Sequence, residues 1–354
     1  PIGDCNSLEI IKNIIPKEAH AVISEIRRQN SISHRSAVLF LKDGKSGEAL
    51  YIYQQQEMLK FMNSQSDLIG EVLKDYFTAL KHKPNDSMLV IAMDNKLVRE
   101  LSVRIREILI KIGKVDMSTA ITVQIPNDSA KSSNNEPKYI TQDFAVGDVI
   151  HFKKNDKNIK LKDKITNREY DAETFLTNKT NGRISGISGS KENGYEIMVD
   201  IEVPGKGPNG TEALAYVKIN TKLYTDNSNK ILVPIDLNYA ITAYSSQGQT
   251  VKKVFLVDGE LMKRREAYVA CSRHRDAMTI YFDKDALAKS IHKDNPNIKF
   301  EEIKKEYNNI QFLNHASRKW ARPSYQNSVP LHSLNLRNDI RTAFELNTNE
   351  NINP

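Results

Sequence analysis

Cysteine is almost missing from this chain. Its 354 residues include two, Cys5 and Cys271, far apart and with no second Cys or His at metal-ligand spacing beside either, which argues against a disulfide framework and a zinc site. The eight histidines are scattered, so nuclease chemistry that needs a metal-binding histidine cluster finds no support either. No apolar run approaches the roughly 18 residues of a membrane-spanning helix, and no signal peptide opens the chain. The expectations are no metal site, no membrane partner and a cytoplasmic location. No internal repeat is visible.

What the chain does have is length and positive charge. At 354 residues, 39% hydrophobic and 27% charged, it can bury the cores of two or three domains. The formal net charge of +7 favours a polyanionic partner, because lysine and arginine that neutralise phosphates release condensed counterions. Much of the excess, however, lies in stretches such as Lys153 to Lys164, which read more simply as solvated faces. Pro1-Ile2-Gly3-Asp4 reads as the end of a buried strand, so the chain is expected to be an excerpt or the product of a broken gene.

Local patterning predicts an α/β fold. Residues 63 to 83 form a helix in this reading, with Asn63 or Ser64 as N-cap and Leu68, Ile69, Val72, Leu73, Tyr76, Phe77 and Leu80 at helical spacing. Met88 to Met93 is an apolar run of buried-strand length. Asp94 can cap the next helix, whose face Leu97, Leu101, Ile105, Ile108 and Ile112 stops at Gly113. Ala120 to Ile125 then reads as the next strand of a parallel sheet. From about Gln142 the composition changes to short β segments, Val149 to Lys153, Gly182 to Ile187, Tyr195 to Val203 and Ala213 to Ile219, which suggest a small barrel or sandwich that folds as a separable unit. Strand Val251 to Val257, helix Arg264 to Arg273 and strand Met278 to Phe282 restore the α/β rhythm. After Asp283 one short helix, to Ile291, is expected before a charged, partly disordered tail.

A nucleotide-driven motor needs a glycine-rich loop ending in Gly-Lys-Ser/Thr. Gly44-Lys45-Ser46 imitates its end, but Leu39 occupies the position of the required first glycine, in what reads as a helix. Asp94 and Asp258 follow strands, as magnesium-binding aspartates do. Neither is followed by Glu or preceded by a phosphate loop, so a helix cap and a surface turn are the expected roles.

Two segments carry a specific likeness. Asn238-Tyr239-Ala240-Ile241-Thr242-Ala243-Tyr244-Ser245-Ser246-Gln247-Gly248-Gln249-Thr250 resembles motif V, and Tyr268-Val269-Ala270-Cys271-Ser272-Arg273-His274-Arg275 resembles motif VI, of superfamily-one DNA helicases of the RecD-like and TraA-like branch. Gly3-Asp4 with Leu8 is similar to motif III, and Glu25-Ile26-Arg27-Arg28-Gln29 to motif IV. Ser87 to Ile112 resembles the opening of the second motor lobe, and Phe144-Ala145-Val146-Gly147-Asp148 the entry to its inserted barrel. Roughly the first 285 residues are covered.

The resemblance implies a RecA-like second motor lobe with a parallel sheet, interrupted by an inserted small β-barrel. Residues 1–62 would be the end of the first lobe and connecting helices, 63–141 and 235–290 the second lobe, 142–234 the barrel and 291–354 the tail. It further implies that ATP and Mg2+ serve the full-length parent, with neither held by this chain alone. Arg28 and Arg273 would reach the γ-phosphate, with Gly3, Asp4, Gln29, Gly248 and Arg275 also at the nucleotide. Thr242, Tyr244, Ser246, Gln247 and Thr250 would contact single-stranded DNA. The other partners implied are the missing N-terminal motor lobe and a relaxase domain. Three departures stand out: Tyr244 replaces a usual histidine, Ser245 a lysine and Ser7 a glutamine. Two other readings are a RecD-type exonuclease subunit, against which the helices from His34 to Tyr53 weigh, and a non-catalytic DNA- or partner-binding module.

Overall fold

A computed structural model describes residues 28–84, 86–126, 138–155, 160–171, 176–177, 180–203, 213–224 and 232–324. Gly3, Asp4, Cys5, Ser7, Leu8 and Glu25 to Arg27 lie outside these residues. In chain order come α1 (Ile32–Lys42), α2 (Ser46–Gln55), β1 (Leu59–Met62), α3 (Gln65–His82), β2 (Met88–Ala92) and α4 (Asn95–Lys111). Nine strands follow: β3 (Asp116–Pro126), β4 (Tyr139–Val146), β5 (Val149–Phe152), β6 (Lys160–Asp163), β7 (Glu169–Asp171), β8 (Asn181–Ser190), β9 (Gly194–Val203), β10 (Ala213–Asn220) and β11 (Ile235–Leu237). β12 (Ala240–Thr242), β13 (Val251–Val257), α5 (Arg264–Cys271), β14 (His274–Asp283), α6 (Lys284–Asp294), α7 (Phe300–Glu306) and α8 (Asn309–Ala321) complete the described chain.

Five strands form a parallel sheet in the order β1-β14-β13-β2-β12. Side chains alternate across a strand, so both faces must be covered if both are apolar. Val90, Ala92, Phe255, Val257 and Tyr281 pack with α3 and α4 on one side. Leu89, Ile91, Val254, Leu256, Ile280 and Phe282 pack with α1, α2, α5, α6 and α8 on the other. The expected caps are present: Ser64 accepts the Asp67 amide at 3.2 Å, and Asp94 that of Lys96 at 3.1 Å. Past α4, Gly113 has φ +70°, and Lys114 N–H donates to Leu109 O at 2.8 Å, the return bond of a Schellman stop.

Three expectations are corrected. Ala120 to Ile125 does not join the parallel sheet: β3 pairs antiparallel with β4. Ile121, Val123 and Ile125 are buried while Thr122 is exposed, the period-two pattern of a half-covered sheet rather than the all-apolar run of a parallel strand. One hydrophobic cluster runs from Leu101 and Ile105 on α4 through Phe144 and Ile150 to Val199, so the antiparallel strands share buried contacts with α4. After Asp283 there are three helices, not one. Asn308 and Gln311 cap each other at the start of α8, whose Phe312, Ala316 and Trp320 are fully buried. The same helix explains Asp258, which is no surface turn: Lys319 Nζ donates to it at 2.6 Å and Trp320 Nε1 at 2.9 Å.

The remaining strands form a seven-stranded antiparallel sheet in the order β11-β5-β8-β9-β10-β6-β7. It joins the parallel layer at the segment Phe144 to Asp148. Gly147 has φ +97°, and a Cβ there would stand 2.0 Å from Lys114 O, so only glycine fits. Asp148, fully buried, takes Arg106 of α4 in a fork, Nε and Nη2 each at 2.8 Å. Tyr239 OH adds a bond at 2.9 Å.

Candidate nucleotide and nucleic-acid site

The segment Arg28 to Asn30 lies along the start of β14. Asn30 N–H donates to Arg275 O at 2.9 Å. Gln29 is buried, and its Nε2 donates to Ser272 O and His274 O, both at 3.1 Å. Arg28 Nη1 reaches Ser272 O at 2.8 Å across 244 positions of sequence. Two segments 244 positions apart in sequence therefore share one edge.

Arg273 is 3% exposed. Its Nε donates to Val269 O at 2.7 Å and its Nη2 to Ser272 Oγ at 2.6 Å. The Nη1 contacts are long, 3.3 Å to Gln249 O and 3.5 Å to Ser246 O. Among the described residues no carboxylate pairs with Arg28 or Arg273. Burial pulls the Arg273 guanidinium down to about 9, with the charge of Arg28 adding to the effect and Tyr268 opposing it. Burial also lowers Arg28, against Tyr268 and aided by Arg275. A guanidinium keeps its proton in proteins, so these depressions describe a site short of negative charge. Beneath it, His274 Nε2 lies 3.1 Å from His34 Nδ1, and burial, with His34 and Arg28 assisting against a Cys271 backbone bond, lowers His274 to about 3.

The loop after β12 is tightly wound. Thr242 Oγ1 accepts the Ser245 amide at 3.1 Å, and Thr242 O accepts that of Ser246 at 2.9 Å. Ser246 departs from expectation: it is fully buried, and its hydroxyl donates inward to Ala243 O at 2.6 Å, so it shapes the turn instead of facing a strand. Tyr244 is 65% exposed, with the Arg265 guanidinium 5.8 Å from its ring centre. Gly248 is exposed at φ +91°, with open space around it. Gln247 and Thr250 are half-buried. Gln249 is buried, and its Oε1 accepts Asn181 Nδ2 of β8 at 3.1 Å. Beside the loop, a cleft of about 350 Å3 between α4 and the antiparallel strands is lined by Asn95, Arg99, Gln142, His151, Thr242 and Ser245.

Gly44-Lys45-Ser46 is a helix stop. Gly44 N–H donates to Leu41 O at 3.1 Å and Lys45 N–H to Phe40 O at 2.8 Å, so the αL glycine ends α1. A Cβ on Gly44 would sit 3.2 Å from Arg264 Cζ. Among the described residues, no group of three or more His, Cys, Asp or Glu could hold a metal ion, and no helix is long and apolar enough to cross a membrane.

No family model matches the chain. A probable conjugal transfer protein TraA of Sinorhizobium fredii is 23% identical over 295 residues, which is 82% of this chain and 22% of the relative. The conjugal transfer protein TraA of Agrobacterium fabrum is 22% identical, over 79% of the chain and 22% of its own length. This chain is a homologue of TraA. It spans about a fifth of the length of the TraA relatives it matches. Among solved structures, Pif1 helicase from Candida albicans aligns with a TM-score of 0.37 and 14% identity, over 79% of this chain and 57% of that one. Bacteroides Pif1 in complex with ADP-AlF3 and single-stranded DNA aligns at 0.38 and 15%, over 78% and 57%.

In this TraA homologue the structure brings Arg28, Gln29 and Arg273 together, with the loop Thr242 to Thr250 against them. Sequence reading missed the His34–His274 pair and the Arg106–Asp148–Tyr239 network. Both join positions far apart in the chain, and neither leaves a local pattern.

Proposed function

We propose that the chain is the C-terminal motor half of an ATP-dependent DNA helicase of conjugative transfer, from a TraA-type relaxase-helicase that moves 5′ to 3′ on single-stranded DNA. One observation carries this reading: two guanidinium groups with no carboxylate partner among the described residues stand beside a wound loop that offers an exposed aromatic and an open glycine. The TraA relatives supply the biological setting. In this reading 63–141 and 235–290 are the second RecA-like lobe, and the antiparallel sheet of 142–234 is the inserted small barrel.

Bound ATP would supply the transferable phosphoryl group, and Mg2+ is assigned with it to the parent. Arg28 and Arg273 would stabilise charge on phosphate oxygens from the far side of the nucleotide, a role suited to a rigid fork of donors. Arg275, Gln29 and Gly248 would line the same edge, and Gly3 and Asp4 would reach it from the first lobe. Tyr244 would stack on a base, and Thr242, Gln247 and Thr250 would border the strand, with Ser246 holding the turn beneath. With no Walker A or B motif of its own, the chain alone is proposed to be inactive as an ATPase.

Fluorescence anisotropy with a labelled single-stranded oligonucleotide tests the reading. Log affinity should fall with log salt at about −0.7 per phosphate neutralised. A folded chain that binds no oligonucleotide at low salt would overturn it and favour a partner-binding module.

A further inference from the structure

We propose that Arg273 is a clasp with two alternative ligands, the backbone of the loop Ser246 to Gln249 and a phosphate group, so that phosphate arrival releases the loop and loosens its tie to the antiparallel sheet. The inference rests on the preceding reading of this edge as the one that meets phosphate.

The guanidinium grips unevenly. Its Nε side is held firmly by Val269 O at 2.7 Å, so the side chain is fixed to the last turn of α5 whatever happens to the loop. Its Nη1 reaches the loop only through Ser246 O and Gln249 O, at 3.5 and 3.3 Å. These are long bonds to neutral acceptors, whereas a charged phosphate oxygen makes a shorter and roughly twofold stronger one. Arg28, hydrogen-bonded to the neighbouring Ser272 O, adds a second cation. An anion entering here therefore outcompetes the two carbonyls without moving the arginine backbone.

The loop is built to yield. Gly248, between the two carbonyl-bearing residues, sits at φ +91° with nothing packed where a Cβ would be. Gln249, whose carbonyl meets Arg273, also accepts Asn181 of β8 at 3.1 Å. One residue thus joins the arginine, the loop and the antiparallel sheet. Arg273 acts on the strand-facing loop as a positioning residue, through backbone bonds it can surrender.

Hydrogen exchange by mass spectrometry on the full chain, with and without pyrophosphate, tests the clasp. Pyrophosphate should speed exchange at residues 247–251 of the wild type by about threefold to tenfold, the loss of one ordinary hydrogen bond or less. R273K, whose single ammonium cannot hold Val269 O and the loop together, should exchange at that faster rate without pyrophosphate and respond no further. N181A should keep the loop response but abolish any change at residues 180–183. Unchanged or slower loop exchange in wild type with pyrophosphate sinks the proposal, as does R273K matching wild type. If R273K fails to fold, wild type and N181A still decide. Oligonucleotide binding measured on the same samples separates the two ideas. Binding without a pyrophosphate response removes the clasp and leaves the helicase reading, and loss of both removes both.

Discussion

Replacing Asp148 with alanine leaves four donors without their acceptor. Arg106 Nε and Nη2 lose bonds of 2.8 Å, Tyr239 OH one of 2.9 Å and the Ala145 amide one of 2.9 Å. Removing one member of a buried ion pair costs about 3–5 kcal/mol, because the other charge stays desolvated. Each neutral donor left unpaired adds roughly 1 kcal/mol or more. The Arg106 side chain retains 11% exposure, so water recovers part of its solvation, and D148A should lose about 3–5 kcal/mol in all. Adding R106M to D148A removes the stranded charge while keeping the stem's apolar packing, and should restore roughly 2 kcal/mol. Urea unfolding followed by circular dichroism measures both, and the double-mutant cycle isolates the coupling. Because one core spans α4 and the antiparallel strands, loss should shift a single transition instead of melting the strands separately. A cost below about 1 kcal/mol for D148A, or a double variant no better than the single one, refutes the buried-pair argument.

Tyr244→Ala should weaken oligonucleotide binding by about 1–3 kcal/mol, since stacking is lost, while the salt slope stays nearly unchanged because no phosphate contact is removed; a changed slope with unchanged affinity at one salt would assign Tyr244 a different role. His274 has its folded-state affinity lowered to about 3 by burial, with His34 and Arg28 assisting. The unfolded chain, near 6.5, then takes up a proton that the folded one refuses. Its contribution is fully present above pH 6.5 and drains away as pH falls toward 3, so H274Q should flatten the acid side of a thermal-stability profile, and an unaltered profile counts against it. Glu57 sits at φ 53° past the end of α2, where Met58 N–H returns to Tyr53 O at 3.0 Å. E57G should raise stability by up to about 1 kcal/mol, the αL cost less glycine's unfolded-state entropy, and a lower midpoint in urea would show that Glu57 is held by something more.

Features written locally were legible. The caps at Ser64 and Asp94, the apolar run of β2 and the αL glycine after α4 follow from neighbours within a turn of each other. The likeness at residues 28–29 and 238–275 pointed to segments that do converge. What escaped depended on remote partners. Lys319 belongs to the stretch read as charged tail until Asp258, 61 positions away, meets it in the core. Asp148 closes the barrel-entry likeness, and nothing beside it in sequence announces Arg106, 42 positions away. The stripe Phe312, Leu313, Ala316 and Trp320 has helical spacing, but the polar residues around it disguised it as tail. Ser246 shows the limit of motif reading, since the type of side chain says nothing about which way a wound loop turns it.

The topology of the parallel sheet also sets a timetable for the nascent chain. Ser102 of α4 and Ala240 of β12 exchange hydrogen bonds across 138 positions, and β2 lies between β13 and β12. A ribosome adding roughly 5–20 residues per second needs on the order of ten to thirty seconds to deliver those neighbours after β2 has emerged. Throughout that interval Leu89 to Ala92 is an apolar strand with both edges open, the kind of segment that pairs with other chains. Helices α3 and α4 can cover one face of it at once, but its edges close only after the whole antiparallel block has been synthesised. Synthesis rate and chaperone supply should therefore govern the yield of this protein more than the stability of its finished fold.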